Sequence, residues 1–247
     1  MRDLAGRAVI LTRTAPDNAR LAAALDELGA AVIELPCIDI QPVADDRDLM
    51  QTLRTLRTCD RLVVTSRAGA RAVAVALHGE PLRAPLAVVG PATERAARDL
   101  GLAPDFTPSR ADTETLGHEL PVPQGMIVLA RSDRAAPGLV ARLRERGAQV
   151  RNVVAYRTSV APAAVNAAAA RMACERGAVA VLASPSAVEG FAHLVGTAGA
   201  RCVLVAIGPA TAARIRQVWR REPIVAARPA DDAILETIRY SFPAVPV

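Results

Sequence analysis

The residues best suited to chemistry in this sequence come in pairs. Gly90-Pro91-Ala92-Thr93 recurs as Gly208-Pro209-Ala210-Thr211, a separation of 208 − 90 = 118 residues. The same offset carries Leu11-Thr12-Arg13 onto Leu129-Ala130-Arg131, Gly29-Ala30 onto Gly147-Ala148, and Thr65-Ser66 onto Ala183-Ser184. It also carries Thr113-Glu114-Thr115-Leu116 onto Asp231-Asp232-Ala233-Ile234. Each copy offers small hydroxyls, glycines and an arginine, which together suit the binding of anions by side chains and free backbone amides. A repeat this long is not a solenoid, whose units run to about 20–50 residues. It implies duplication of a half-chain unit and two similar domains.

Composition excludes several other chemistries. The 247 residues carry a net charge of +5, and every basic residue is Arg. With no Lys there is no P-loop lysine, no Schiff base and no pyridoxal-phosphate anchor. His78, His118 and His193 lie far apart, and Cys37, Cys59, Cys174 and Cys202 form no CxxC pair, so no metal centre or disulfide framework is expected. No Gly-x-Ser-x-Gly elbow marks a hydrolase. Aromatic residues are scarce and no dense basic run occurs, which argues against nucleic acid. The modest basic excess fits an acidic ligand or plain solubility. No apolar run approaches the roughly 20 residues that span a membrane. The start, MRDLAGRAVILTR, reads as a first strand and not as a signal peptide. A cytoplasmic protein is the expectation.

The elements that must position these residues follow from hydrophobic periodicity. Ala8-Val9-Ile10-Leu11 is a short, wholly apolar run, as a parallel strand buried on both faces requires. Thr14, Pro16 and Asp17 form a helix start, Leu21, Leu25 and Leu28 repeat at helical spacing, and Gly29 supplies the stop. A strand resumes at Ala31. LVV at Leu62, LAVV at Leu86 and MIVL at Met126 likewise lead into amphipathic segments, and VAVLA, VLVAI and IVAA repeat the order in the second half. Residues 44–58 read as a scaffold helix with Leu49, Leu53 and Leu56 inward, and the tail SFPAVPV reads as a loose end. Alternating strands and helices mean α/β with parallel sheets.

Every doubled motif then falls at the carboxyl end of a strand, just before a helix, where ligands bind in open parallel sheets. Taken singly, Ser66, Ser184, Thr93 and Thr211 could equally be N-caps, and Gly90 and Gly208 tight turns. Taken together, two such rims flanking a cleft would suit a large polyanion. Glu34 to Val43 and Val153 to Ala163 are extended and related by the offset. Paired, they would form a two-stranded bridge over about residues 36–43 and 153–161. The chain would cross twice, giving one discontinuous domain, residues 1–37 plus 159–247, and a second of residues 38–158. Tyr156 lies on this bridge, either as a half-buried strand aromatic or as a phenol at the mouth of the cleft.

The stretches VILTR, ELGAAVIELPCIDI, LVVTSRAGARAV, VVGPATERAARDLG, LRERGAQVRNVVAYRT, VLASPSAVEGF and VAIGPATAARI, in this order, make the chain resemble the uroporphyrinogen-III synthase family over nearly its whole length. That resemblance implies two flavodoxin-like parallel-sheet domains joined by a two-stranded β-ladder. It implies conversion of hydroxymethylbilane, a linear tetrapyrrole polycarboxylate, to uroporphyrinogen III, with loss of water and inversion of ring D. The expected class is a lyase of haem, sirohaem and cobalamin synthesis that needs no metal or organic cofactor. A monomer in transient contact with hydroxymethylbilane synthase is the implied state. Tyr156 inherits the role of acid from the family's Y-x-T motif. Thr93 and Thr211 would assist catalysis, and Arg13, Thr65, Ser66, Gly90, Arg131, Ser184, Ser186 and Gly208 would bind substrate.

Ala183, Ala130, Ser132 and Arg67 depart from the family's common residues, which puts individual rim contacts in doubt and not the fold. Two other classes compete. A non-catalytic two-domain tetrapyrrole- or anion-binding regulator would keep the rims without needing Tyr156. A nucleotide-sugar transferase would need a metal-binding carboxylate pair or a nucleotide pocket, for which no signal is present.

Overall fold

Short runs of Val, Leu, Ile and Ala leave a strand no wet face, so each must be covered from both sides by helices. The computed structural model describes residues 4–161 and 165–242. In chain order it shows β1 (Ala8–Leu11), α1 (Ala15–Glu27), β2 (Ala31–Glu34), β3 (Ile38–Pro42), α2 (Arg47–Thr55), β4 (Arg61–Val64) and α3 (Arg67–Leu77). Then come β5 (Leu86–Val88), α4 (Pro91–Asp99), β6 (Pro104–Phe106), α5 (Thr113–Glu119), β7 (Met126–Ser132), α6 (Gly138–Glu145) and β8 (Gln149–Val160). The chain ends with α7 (Ala167–Glu175), β9 (Val179–Leu182), α8 (Pro185–Val195), β10 (Val203–Ala206), α9 (Pro209–Trp219), β11 (Ile224–Val225) and α10 (Asp231–Ser241).

Two units result, Met1–Asp39 with Ser159–Val247, and Ile40–Thr158. In the first unit the sheet order is β11-β10-β9-β1-β2, and all four pairings are parallel. In the second it is β3-β8-β7-β4-β5-β6, parallel from β8 to β6. The 118-residue offset converts one order into the other: β1, β2, β9, β10 and β11 map onto β7, β8, β4, β5 and β6. Each sheet therefore combines strands from both copies of the repeat. Each also carries the doubly wound order 2-1-3-4-5, whose switch point lies between β1 and β9, or between β7 and β4.

Two apolar layers sandwich each sheet. In the second unit Leu62, Val64, Val128, Val153 and Ala155 pack with α2 and α3, whose Leu49, Leu53 and Val73 face them. Val63, Leu129 and Ile127 face Leu116, Leu139 and Leu143 on the other side. Leu56, just past the end of α2, is also buried, so the scaffold helix has the inward face its spacing implied.

Three local details add to the sequence reading or correct it. Thr14 occupies the N-cap of α1, as the helix-start residues implied; its side chain makes no capping bond, and its carbonyl accepts from Asp17 N–H at 2.9 Å. The tail is not loose where it starts. Ser241 closes α10, and Phe242 is buried with the Arg7 guanidinium 5.2 Å from its ring centre; residues 243–247 lie outside the described residues. β8 runs unbroken for 12 residues, whereas its repeat counterpart is split into β2 and β3 around Leu35-Pro36-Cys37. Pro36 corresponds to Val154 and has no N–H to give a ladder.

Where the chain leaves the first unit, α8 meets bare backbone. A Cβ on Gly190 would lie 2.0 Å from the carbonyl oxygen of Cys37, which accepts from Ala161 N–H at 3.2 Å. Gly190→Ala should gain about 0.5–1 kcal/mol from helix propensity and lose more to this overlap. Urea unfolding should show a net destabilisation of about 2 kcal/mol, opposite in sign to an ordinary Gly→Ala change in a helix.

Candidate active site

In the second unit the rim is built where β4, β5, β7 and β8 end. β4 stops at Val64, and Thr65-Ser66 turn extended into α3, whose N-cap is Ser66. Ser66 Oγ accepts the Gly69 N–H at 3.0 Å, so the capping reading of this serine holds. The turn is close-packed. A Cβ on Gly69 would sit 3.1 Å from the Ala130 carbonyl oxygen of β7 and 3.3 Å from Ser66 Oγ. A glycine early in a helix was the available sign of this approach, and its role was not read from the sequence.

Tyr156 reaches the same turn through an irregularity. β7 and β8 pair regularly to Arg131–Val154, and then Ser132 pairs with Tyr156, skipping Ala155. In an unbroken strand Ala155 and Tyr156 would point to opposite faces. Here both pack on the α3 side of the sheet, as a bulge allows. The phenol oxygen lies 2.9 Å from Ser66 Oγ. Burial pushes its ionisation above the usual tyrosine value; the Ser66 hydrogen bond opposes this, Asp133 adds to it, and Arg131 opposes it. The group therefore stays a protonated phenol through neutral pH, able to donate.

The bulge is pinned by residues that sequence reasoning did not assign to the site. Asp133 Oδ1 accepts from Thr158 N–H and from Ser132 Oγ, both at 3.0 Å, and Ser132 Oγ lies 2.9 Å from Thr158 Oγ1. Arg131, expected to face a ligand, is instead committed inward. It is 4% exposed and donates to Asn152 Oδ1 at 2.7 Å and to the Ala136 carbonyl at 3.0 Å. Burial lowers its ionisation, which Tyr156 opposes. Arg131 thus lends positive charge to the phenol from within the fold.

Thr93 and Thr211 are not N-caps. Gly90 and Gly208 hold those positions, and each threonine is the third residue of its helix, α4 or α9, and buried. Neither glycine serves a left-handed turn, since their φ values of 172° and −179° are extended backbone. Gly90 is needed for space, because a Cβ there would meet the Ala111 Cβ at 2.6 Å; nothing lies within 4 Å of the same position on Gly208.

The first unit repeats the rim without the phenol. Thr12 Oγ1 is tied to the Val181 carbonyl at 2.7 Å. Arg13 pairs with Asp231 at 2.8 Å, with side chains 13% and 33% exposed, and its carbonyl accepts from Asn18 Nδ2 at 2.9 Å. Ser184 caps α8 by accepting Ala187 N–H at 3.0 Å, as Ser66 caps α3. Ser186 sits half-buried in that first turn. Ser66, Arg131 and Tyr156 are thus brought together, with Thr65, Gly90 and Thr93 on neighbouring strand ends. Arg13, Ser184, Ser186, Gly208 and Thr211 line the first unit's rim. Among the described residues no group of three or more His, Cys, Asp or Glu could hold a metal, and no helix is long and apolar enough to cross a membrane.

The two arginines should separate in unfolding measurements. Arg131→Ala empties the space of a buried side chain and removes its two charge-assisted hydrogen bonds, and should cost roughly 2 kcal/mol. Arg13→Ala removes one partly exposed ion pair and should cost less than about 1 kcal/mol.

A family model described as uroporphyrinogen-III synthase HemD matches residues 19–236. Among curated relatives, the porphyrin biosynthesis protein HemD of Ruminiclostridium josui is 28% identical over 117 residues, 45% of this chain and 23% of that one. The uroporphyrinogen-III synthase of Synechococcus elongatus is 27% identical over 161 residues, 62% of this chain and 61% of that one. The match thus spans about a quarter of the first relative's length and about three-fifths of the second's. Of solved structures, a mutant uroporphyrinogen III synthase from Thermus thermophilus superposes with a TM-score of 0.66 at 20% identity, covering 96% of this chain and 98% of that one. The Helicobacter pylori uroporphyrinogen-III synthetase gives 0.58 at 16% identity, covering 93% and 97%. These structural likenesses establish a shared fold.

Proposed function

The chain belongs to the uroporphyrinogen-III synthase family, and on that premise we propose that it is a cofactor-independent lyase closing hydroxymethylbilane to uroporphyrinogen III. The observation that carries this reading is the Tyr156 phenol, held 2.9 Å from Ser66 at a strand-end rim and kept protonated by burial. In the first step the phenol protonates the terminal hydroxymethyl oxygen. The carbon–oxygen bond breaks, water leaves, and the pyrrole nitrogen's electrons form an azafulvenium cation that keeps its N–H proton. Tyr156 is left as phenolate, with Arg131 as the nearby buried positive charge.

The substrate's carboxylates are matched by the helix starts. The first turns of α3, α4, α8 and α9 carry partial positive charge at both rims. Arg13, partly exposed beside Asp231, can add a charged hydrogen bond to a substrate carboxylate. Thr93 and Thr211, in the first turns of α4 and α9, hold carboxylates or the departing hydroxyl. Because unassisted closure gives the uninverted isomer, much of the enzyme's task is to hold ring D in the inverting geometry.

Hydroxymethylbilane generated in situ tests this directly, with products oxidised and their isomers separated. The wild-type chain should give predominantly the type III isomer. Tyr156→Phe should slow its formation by about 10²-fold, at the low end of general-acid catalysis, and the residual product should still be type III. Only type I isomer, at the blank rate and from folded protein, would overturn the function.

A further inference from the structure

The reading of Tyr156 as an acid leaves open what orients its proton. A phenol hydrogen-bonded through its own O–H has no proton to give until that bond breaks. One that accepts from a neighbour keeps its O–H free. The neighbour here is Ser66, and its bonding is constrained on the side away from Tyr156. Ser66 Oγ already accepts the Gly69 N–H at 3.0 Å, which fixes the side chain against the start of α3. The bare Gly69 lets that start lie against β7 at Ala130. The skipped residue in β8 turns Tyr156 onto the same spot.

We propose that Ser66 is a positioning residue for Tyr156: its hydroxyl donates to the phenol oxygen, leaving the phenol proton directed at substrate. This rests on the acid role proposed for Tyr156 and replaces the expectation that Ser66 is a substrate ligand. An N–H donated into Oγ polarises the serine O–H and makes it a better donor. The partial positive charge at the helix start acts in the same sense. Once the phenol has given up its proton, the serine O–H stabilises the phenolate. The other ionisable groups that act on the phenol are Asp133 and Arg131.

The duplication supplies an internal control. Ser184 caps α8 through Ala187 N–H with the same 3.0 Å geometry. The offset places Ile38 where the second unit has Tyr156. Ser184 thus shares the cap and lacks the phenol.

The chain has two tyrosines, so Tyr240→Phe leaves Tyr156 as the sole phenol for titration by phenolate absorbance. In that background Ser66→Ala should move the midpoint upward, because the phenolate loses a donor. Ser184→Ala, which loses the equivalent cap, should leave it unmoved, and Ser66→Thr should restore it. In the isomer assay Ser66→Ala should lower kcat about tenfold with KM changed less than about twofold. Added to Tyr156→Phe it should change kcat by less than about twofold, since the two groups act as a unit. A midpoint unmoved by Ser66→Ala in folded protein would overturn the proposal, as would a raised KM at unchanged kcat. The titration needs no turnover. A shifted midpoint in a chain that forms no type III isomer would therefore overturn the function and leave the Ser66–Tyr156 coupling standing.

Discussion

Burial of parallel strands on both faces is the constraint from which the rest follows. A strand such as Val179–Leu182, buried along its whole length, can lie only in a sheet covered twice by helices. The chain must then leave each strand at its carboxyl end and return through a helix. That brings every strand's last residues and every helix's first amides to one edge of each sheet. The small residues there are small for definite reasons. Gly69 clears the Ala130 carbonyl, Gly90 clears Ala111, and Ser66 and Ser184 satisfy amides that a helix start would leave unpaired. A rim of helix-start amides is a consequence of the architecture, and residue choice refines it.

Duplication made two such rims, and later divergence made them unequal. Because each sheet takes strands from both copies, equivalent residues sit in different units. Arg13 pairs with a partly exposed aspartate, while its counterpart Arg131 is sealed within the fold by Asn152 and a carbonyl. Ile38 packs against the first unit's core, while its counterpart Tyr156 has turned toward the rim. The two rims therefore differ: one carries a partly exposed ion pair, the other a phenol held beside a serine.

The strands and helices were legible because apolar runs and helical spacing report burial directly. The doubled strand order was legible because one offset survived without an insertion. β6 was not. Pro104-Asp105-Phe106 has no apolar run, and it is held by pairing with β5 and by Asp105 accepting two bonds from Arg61. The candidate acid was found by family resemblance, but its surroundings were hidden. The bulge opposite Arg131 and Ser132 depends on how two strands pair, and nothing in the Val153–Thr158 composition marks it. The inward turn of Arg131 depends on Asn152, on the neighbouring strand. Sequence separates buried from exposed positions well, and says little about which polar groups will face each other across a ladder.

Amide hydrogen exchange, with and without bound uroporphyrin III, the oxidised form of the proposed product, tests most directly whether these helix starts hold the tetrapyrrole. Slowed exchange is expected at residues 66–69, 90–94, 184–188 and 208–212, the strand-end rims of both units. Protection confined to the opposite edge of the sheet, at residues 57–60 and 121–125, would contradict it.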